Sequence, residues 1–125
     1  MLDPKFVLAL AALALPAVPA LAAIDSGWAE VANAKSDDCE LSVTGNGRTY
    51  RIDVTGLGAG TAARYRLRNG DMKPLDWLVR ADAGGRFARY YVPFRWHRRG
   101  GTVQVAVDSG RCNLSASFDW TRFTG

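Results

Sequence analysis

The sequence predicts an all-β domain in which two antiparallel sheets pack face to face as a sandwich of about seven strands. Short runs of alternating apolar and polar residues recur along the chain, and turns rich in Gly, Asn and Asp separate them about every ten residues. Interior prolines, glycines and β-branched residues argue against a long helix after residue 22. At 125 residues the chain is long enough for one core and too short for two.

The clearest strand lies in residues 48–57, where Tyr50, Ile52 and Val54 alternate with polar side chains. A period of two places these three side chains on one face, and a second layer must cover that face to bury it. The other strands supply this layer. The seven predicted strands cover residues 39–44, 48–57, 61–67, 74–81, 86–94, 102–107 and 112–120.

Tight turns connect these strands. Gly45-Asn46-Gly47 predicts a hairpin between the first two strands, which should therefore pair antiparallel. Two further turns are predicted at residues 69–71 and 108–110, which combine Asn or Asp with Gly.

Alternation also predicts which side chains form the core. The predicted core residues are Tyr50, Ile52, Val54, Tyr65, Leu67, Trp77, Val103, Val105, Leu114 and Phe118. On the opposite face of one strand the same pattern places Arg64, Arg66 and Arg68 in a row. In residues 86–94 Phe87 and Tyr91 share parity with Arg89, and we expect a β-bulge to cause this.

The N-terminal segment has the pattern of a secretory signal peptide. The apolar run at residues 6–15 is too short to span a bilayer, and two prolines and Ala20-Leu21-Ala22 follow it. We expect cleavage near Ala22, or one residue later at Ala23, and hence a secreted or periplasmic protein. A buried N-terminal helix or a retained anchor is the alternative interpretation.

Two units follow the predicted cleavage site. Residues 23–38 are predicted as an irregular N-terminal segment, in which the residues around Trp28 form either a single turn or a leading strand. Residues 39–125 are predicted as the sandwich domain. The mature chain is expected to contain no transmembrane segment.

Both cysteines, Cys39 and Cys112, lie in the part predicted to be exported. In an oxidising compartment such a pair should form a disulfide. A metal site or a catalytic thiol is a poor alternative, because the chain has one histidine and neither cysteine has a neighbour at metal-ligand spacing.

The predicted mature chain is moderately basic. Cleavage removes one acid, Asp3, and one base, Lys5, so the net charge stays at +4. Such a charge favours solubility and weak attraction to anionic surfaces, but it does not define a partner. Arginine dominates the basic residues and suits bidentate contacts with carboxylates and phosphates, although a compositional bias of the source genome would give the same excess.

Three stretches of turn chemistry resemble bacterial secreted immunoglobulin-like modules. They are Asp53-Val54-Thr55-Gly56-Leu57-Gly58-Ala59-Gly60-Thr61, then Ala81-Asp82-Ala83-Gly84-Gly85-Arg86-Phe87, and then Pro93. The resemblance spans residues 40–120 and implies an immunoglobulin-like sandwich but no activity. The same turns are more weakly similar to the neocarzinostatin group, sandwiches that carry a small apolar ligand, but the second, short-range disulfide of that group is missing here.

The strongest candidate for a binding surface is the basic and aromatic loop formed by Arg95, Trp96, His97, Arg98 and Arg99. Arginine and tryptophan together bind anionic groups and stack on rings. The row of Arg64, Arg66 and Arg68 is a candidate extension of this surface. The alternative is a solvated hairpin tip and a strand face whose arginine stems cover apolar surface.

No enzyme chemistry is predicted. His97 is the one histidine, and the sequence offers it no Ser-His-Asp or Cys-His arrangement. We therefore expect no catalytic residue, no cofactor and no metal site. Asp37 and Asp38 with Asp25 or Glu30 would suit calcium chemically, but EF-hand spacing is absent and a solvated acidic loop is the preferred interpretation.

Two functions are consistent with these observations. The first is an exported, non-enzymatic binding or structural module that contacts a protein or a cell-envelope component. The second is a binder or carrier of a small or anionic polymeric ligand, through aromatic residues predicted to cluster: Trp77, Tyr90, Tyr91, Phe94 and Trp96. Nucleic acid is not expected as a partner. An internal cavity would favour the carrier, whereas a filled core with exposed aromatic residues would favour the module.

Overall fold

The computed structural model describes residues 27–122, which form two antiparallel sheets of four strands each and, within this range, no helix. The strands are β1 (Ala29–Ser36), β2 (Cys39–Gly45), β3 (Tyr50–Thr55), β4 (Ala62–Asn69), β5 (Leu75–Arg80), β6 (Phe87–Tyr91), β7 (Gly100–Asp108) and β8 (Asn113–Thr121). Sheet 1 has the order β1-β2-β3-β6, and sheet 2 has the order β5-β4-β7-β8. The predicted two-sheet antiparallel sandwich is confirmed, with eight strands instead of about seven.

The additional strand, β1, agrees with the leading strand that was one of the two alternatives around Trp28, so the segment is not irregular over residues 29–36. It pairs with β2 from Ala29 opposite Gly45 to Ser36 opposite Cys39, with an irregularity between Glu30 and Ala32. This bulge interrupts the alternation, and the half-buried positions that follow are small alanines. Both features weaken the alternation of apolar and polar residues that identifies a strand in the sequence. The predicted signal peptide, residues 1–22, and its cleavage near Ala22 lie outside the described residues.

The bulge predicted within residues 86–94 is absent from β6, because β6 pairs with β3 in continuous register from Val54 opposite Phe87 to Tyr50 opposite Tyr91. Alternation therefore puts Arg89 on the same face as Phe87 and Tyr91. The strand tolerates this charge because it is the edge of sheet 1. An inward-pointing charge on an edge strand also discourages another chain from adding to the sheet.

The core fills the space between the two sheets. The predicted core residues are buried, with the exception of Trp77. Trp77 lies on the inner face of β5 but at the open side of the sandwich, so it is 44% exposed and its prediction as a core residue is wrong. Its ring stacks on Tyr65 at 5.8 Å between centroids, and the Arg89 guanidinium covers it at 5.3 Å.

The predicted disulfide is confirmed. Cys39 begins β2 in sheet 1 and Cys112 directly precedes β8 in sheet 2, with 6.2 Å between their Cα atoms. Both cysteines are buried. The bond therefore joins the two sheets covalently at one end of the sandwich, which we call the disulfide end.

A buried asparagine joins the sheets at the opposite end. Asn69, at the end of β4, is 2% exposed. Its Nδ2 donates to the carbonyl oxygen of Pro93 at 2.7 Å and to the hydroxyl of Tyr91 at 3.2 Å, and its Oδ1 accepts from Trp120 Nε1 at 3.1 Å. The amide thus connects β4, β6 and β8, and its hydrogen bonds offset the cost of its burial.

Two connections dock onto each other at the disulfide end. The amide of Leu57 donates to the carbonyl of Gly85 at 3.0 Å, and the amide of Gly60 donates to the carbonyl of Asp82 at 3.2 Å. Gly85 has a φ of +77° and is buried, and a side chain on it would overlap the backbone of Gly58. The glycine-rich turns are therefore required where one backbone packs directly on another.

Gly85→Ala is expected to destabilise the protein by about 1 to 3 kcal/mol more than Gly47→Ala. Both positions have a positive φ, so both variants carry the backbone strain of an L-residue in that region. A Cβ at Gly47 meets nothing within 4 Å, whereas a Cβ at Gly85 meets Gly58. Urea unfolding of the two variants measures the difference, and equal midpoints would show that the close approach of the turns does not matter.

Candidate functional site

Among the connections between strands, those at the end opposite the disulfide carry most of the positive charge. We call this the basic end: residues 46–49, 70–74 and 92–99, together with Arg122 after β8. Its charged residues are the six cations Arg48, Lys73, Arg95, Arg98, Arg99 and Arg122 and the single acid Asp71. The described connections at the disulfide end instead carry three acids, Asp37, Asp38 and Asp82, and two bases, Arg86 and Arg111. The molecule is therefore electrostatically polarised along its strands.

The predicted binding loop, residues 95–99, lies at the basic end and presents an indole to solvent. Its turn is closed by the amide of Arg98, which donates to the carbonyl of Arg95 at 3.4 Å, and His97 adopts a φ of +64° within it. Trp96 is 85% exposed. Met72 and Val92, in the other connections of this end, are also exposed apolar residues.

Arg122 holds this loop to the body of the domain. Its Nε donates to the carbonyl of Arg98 at 3.0 Å, its Nη2 donates to the carbonyl of Arg95, and its backbone amide donates to the carbonyl of Arg99 at 2.6 Å. Below the loop, Phe94 packs on Trp120 at 5.8 Å between ring centroids. The loop therefore has a defined scaffold although its tip is exposed.

Asp71 balances part of the loop's charge. Its carboxylate lies 2.8 Å from Arg95 Nη2 and 3.4 Å from Arg98 Nη2. The hydrogen bond from Arg95, followed by the charges of Arg95 and Arg98, lowers the pKa of Asp71. Arg95 is the more covered of the two arginines, with a side chain 21% exposed against 53% for Arg98. Arg95 thus acts mainly in holding the loop, while Arg98 and the exposed Arg99 face solvent.

The arginine row of β4 lies on one exposed face, as the alternation predicted. Arg66 Nη2 and Arg64 Nε lie 2.8 and 3.5 Å from the carboxylate of Asp76. The hydrogen bond from Arg66 is the main cause that lowers the pKa of Asp76. Arg68 is the member nearest the basic end, because β4 ends one residue later. Of the three arginines, Arg68 therefore extends the loop surface, and the other two belong to the middle of sheet 2.

The structure does not bring the predicted aromatic cluster together. Tyr90 lies on the outer face of sheet 1, whereas its neighbour Tyr91 points inward and accepts the hydrogen bond from Asn69. Phe94 packs on Trp120, and Trp77 lies at the open side of the sandwich. Trp96 lies at the loop tip with its ring centroid 6.4 Å from that of His97, and of the other four aromatics Phe94 lines a small pocket with it. Nearness in sequence does not bring these side chains together, because neighbouring residues of a strand point to opposite faces of the sheet.

The acidic residues weighed for calcium do not converge. Asp37 and Asp38 form the β1–β2 turn at the disulfide end, whereas Glu30 lies near the start of β1, where it accepts hydrogen bonds from Ser42 and Asn33. Asp25 lies outside the described residues. Within residues 27–122 no group of three or more His, Cys, Asp or Glu side chains is arranged to hold a metal ion.

A groove that the sequence reasoning missed crosses the outer face of sheet 1. One part, of 450 Å³, is lined by Trp28, Thr44, Arg51 and Tyr90. The adjoining part, of 420 Å³, is lined by Arg51, Asp53, Val54, Thr55, Asp82, Arg86, Phe87 and Ala88. The lining residues come from several strands and connections, so they are distant in sequence. The register of β3 against β6, which places Arg51 opposite Tyr90, is the signal that relates them.

Comparisons of the chain with protein-family models, with curated proteins and with solved structures found no match. Among residues 27–122, no helix is long and apolar enough to cross a membrane.

Proposed function

We propose that this protein is an exported, non-enzymatic binding module that docks on an anionic lipid surface of the cell envelope through its basic end. The single observation that carries the proposal is Trp96, 85% exposed at the tip of a loop that Arg122 holds in place. A solvent-exposed indole contributes little to folding stability. At a membrane interface its apolar ring body lies towards the acyl chains and its polar N–H towards the headgroups.

The charge of the basic end supports the same partner. Its six cations face one acid, and that acid is already paired with Arg95 and Arg98. Each arginine or lysine near an anionic bilayer surface contributes about 1 kcal/mol of attraction. The exposed side chains of Met72 and Val92 add apolar contact at the same end.

Export is supported by the disulfide and by the predicted signal peptide. Disulfides persist in oxidising compartments, where small domains use them for stability. The resemblance of the turns to bacterial secreted immunoglobulin-like modules fits a binding role outside the cytoplasm. Core side chains fill the space between the sheets, which favours a surface binding module over an internal carrier.

Binding to phosphatidylcholine vesicles with and without phosphatidylglycerol, measured by cosedimentation, tests the proposal. We expect binding to the anionic vesicles that weakens with salt. Replacing both Arg98 and Arg99 with alanine should remove about 2 kcal/mol, which is about a 30-fold loss of affinity. Trp96→Ala should weaken binding further, because the indole no longer enters the interface.

The matched control is the double variant Arg64→Ala and Arg66→Ala, which removes the same charge from the sheet face. We expect it to bind almost as the parent protein does. An equal loss of vesicle affinity in both double variants would show that net charge alone drives binding. Parent-like binding by Trp96→Ala would contradict the proposed contact between the indole and the lipid.

A further inference from the structure

The groove on the outer face of sheet 1 is separate from the loop of the basic end and has its own chemistry. Its two parts, of 450 and 420 Å³, share one residue, Arg51. They therefore lie side by side along β3 and β6, with Arg51 between them. Ala88, opposite Asp53 in the ladder, has a small side chain that projects little from the outer face of β6 and so leaves room for the groove.

Arg51 is fixed in the middle of the groove by contacts on two sides. Its guanidinium carbon lies 5.7 Å from the centroid of the Tyr90 ring, and its Nε donates to Asp53 Oδ1 at 3.0 Å. Both the hydrogen bond and the ion pair with Asp53 use Nε, which leaves the two terminal nitrogens for a ligand. An arginine held in this way presents its donors with little further loss of side-chain entropy.

The groove has more free donors than free acceptors. Asp82 Oδ1 already accepts from the backbone amides of Gly84 at 2.9 Å and Arg86 at 3.0 Å. No ion pair engages the Arg86 guanidinium within residues 27–122. Arg51 and Arg86 therefore favour a ligand that carries carboxylates, to which guanidinium groups bind in bidentate geometry.

The aromatic part of the groove favours a ligand with rings. Tyr90 is 64% exposed on a strand where its burial contributes little to the fold. The half-buried Trp28 lines the same part of the groove, next to Arg51. The remaining oxygens of Asp53 and Asp82 are placed to accept hydrogen bonds from the hydroxyl groups of a ligand.

We propose that this groove binds an acidic oligosaccharide, with sugar rings on Tyr90 and Trp28 and sugar carboxylates at Arg51 and Arg86. The guanidinium groups favour such a ligand over a neutral glycan, and the hydroxyl-accepting oxygens beside an exposed ring favour a sugar chain. The inference goes beyond the proposed docking on lipid, because it concerns another face and another class of ligand.

Calorimetric titration with a linear oligogalacturonate tests the proposal. We expect binding, and at least about a tenfold loss of affinity in Tyr90→Ser and in Arg86→Gln, which corresponds to the removal of one ring contact or one charged contact. A neutral glucose oligosaccharide of the same length should bind at least about tenfold more weakly than the acidic one. Both substitutions are at exposed positions, and thermal unfolding of each variant checks that the fold is kept.

Three results would overturn the proposal: parent-like affinity in both variants, equal binding of the neutral oligosaccharide, or tighter binding of single-stranded oligothymidylate. Trp96→Ala provides the control, since it should bind the oligogalacturonate as the parent does. Conversely, Tyr90→Ser should still bind anionic vesicles. The proposal for the groove and the proposal for the basic end can therefore be refuted independently of each other.

Discussion

Trp120→Ala is expected to lower the free energy of unfolding by about 3 to 5 kcal/mol, because it removes a large buried ring and leaves a cavity. Trp120 is 2% exposed, packs on Phe94 and donates from Nε1 to Asn69 Oδ1 at 3.1 Å. Truncation therefore also leaves the buried Asn69 without one of its partners. Urea unfolding measures the change.

The same substitution at Trp96, which is 85% exposed, provides the control and should cost about 0.5 kcal/mol or less. Trp120→Phe separates the two causes, because it keeps most of the ring and removes the donor; we expect a loss of about 1 to 3 kcal/mol. If the two alanine variants unfolded at the same urea concentration, the assignment of Trp120 to the core would be wrong.

Removal of the disulfide by Cys39→Ala and Cys112→Ala together is expected to destabilise the protein by about 2 to 5 kcal/mol, the range for small secreted domains. The bond links residues 73 apart in sequence, and on the chain-entropy model a loop of that length contributes on the order of 4 kcal/mol. Unfolding of the double variant and of the reduced parent should give similar losses, since both lack the same cross-link.

Mass spectrometry provides the independent check. Alkylation of the folded, unreduced protein should add no carbamidomethyl group to either cysteine, because both sulfurs are in the bond. Two added groups on folded protein would contradict the bridge, and an unchanged unfolding midpoint in the double variant would contradict its role in stability.

The sequence predicted the central strands well because their inward side chains are large and their alternation is unbroken. In β3, β4, β7 and β8, Ile52, Tyr65, Val105 and Phe118 are all buried as expected. The predictions failed at edge strands, at Trp77 of β5 in sheet 2 and at both edges of sheet 1. β1 has small inward residues and a bulge, and β6 has an arginine at an inward position that only an edge strand tolerates.

The candidate sites show the same limit. The loop of residues 95–99 is contiguous in sequence, so its composition alone predicted a basic and aromatic surface. The sequence did not predict that Asp71 and Arg122 position it, because both contacts depend on the fold. The groove between Trp28, Arg51 and Tyr90 depends on strand register, which composition does not reveal.

The two ends of the sandwich are closed by different kinds of chemistry, and this makes them respond differently to their surroundings. A covalent bond closes the end with Cys39 and Cys112, and a buried amide closes the end with Asn69. A reductant acts on the first and leaves the second intact. Loss of the bond therefore loosens the acidic connections first, while the arginine-rich loop keeps its anchoring to Trp120 and Arg122. The proposed recognition at that loop is therefore expected to be insensitive to the redox state of the compartment.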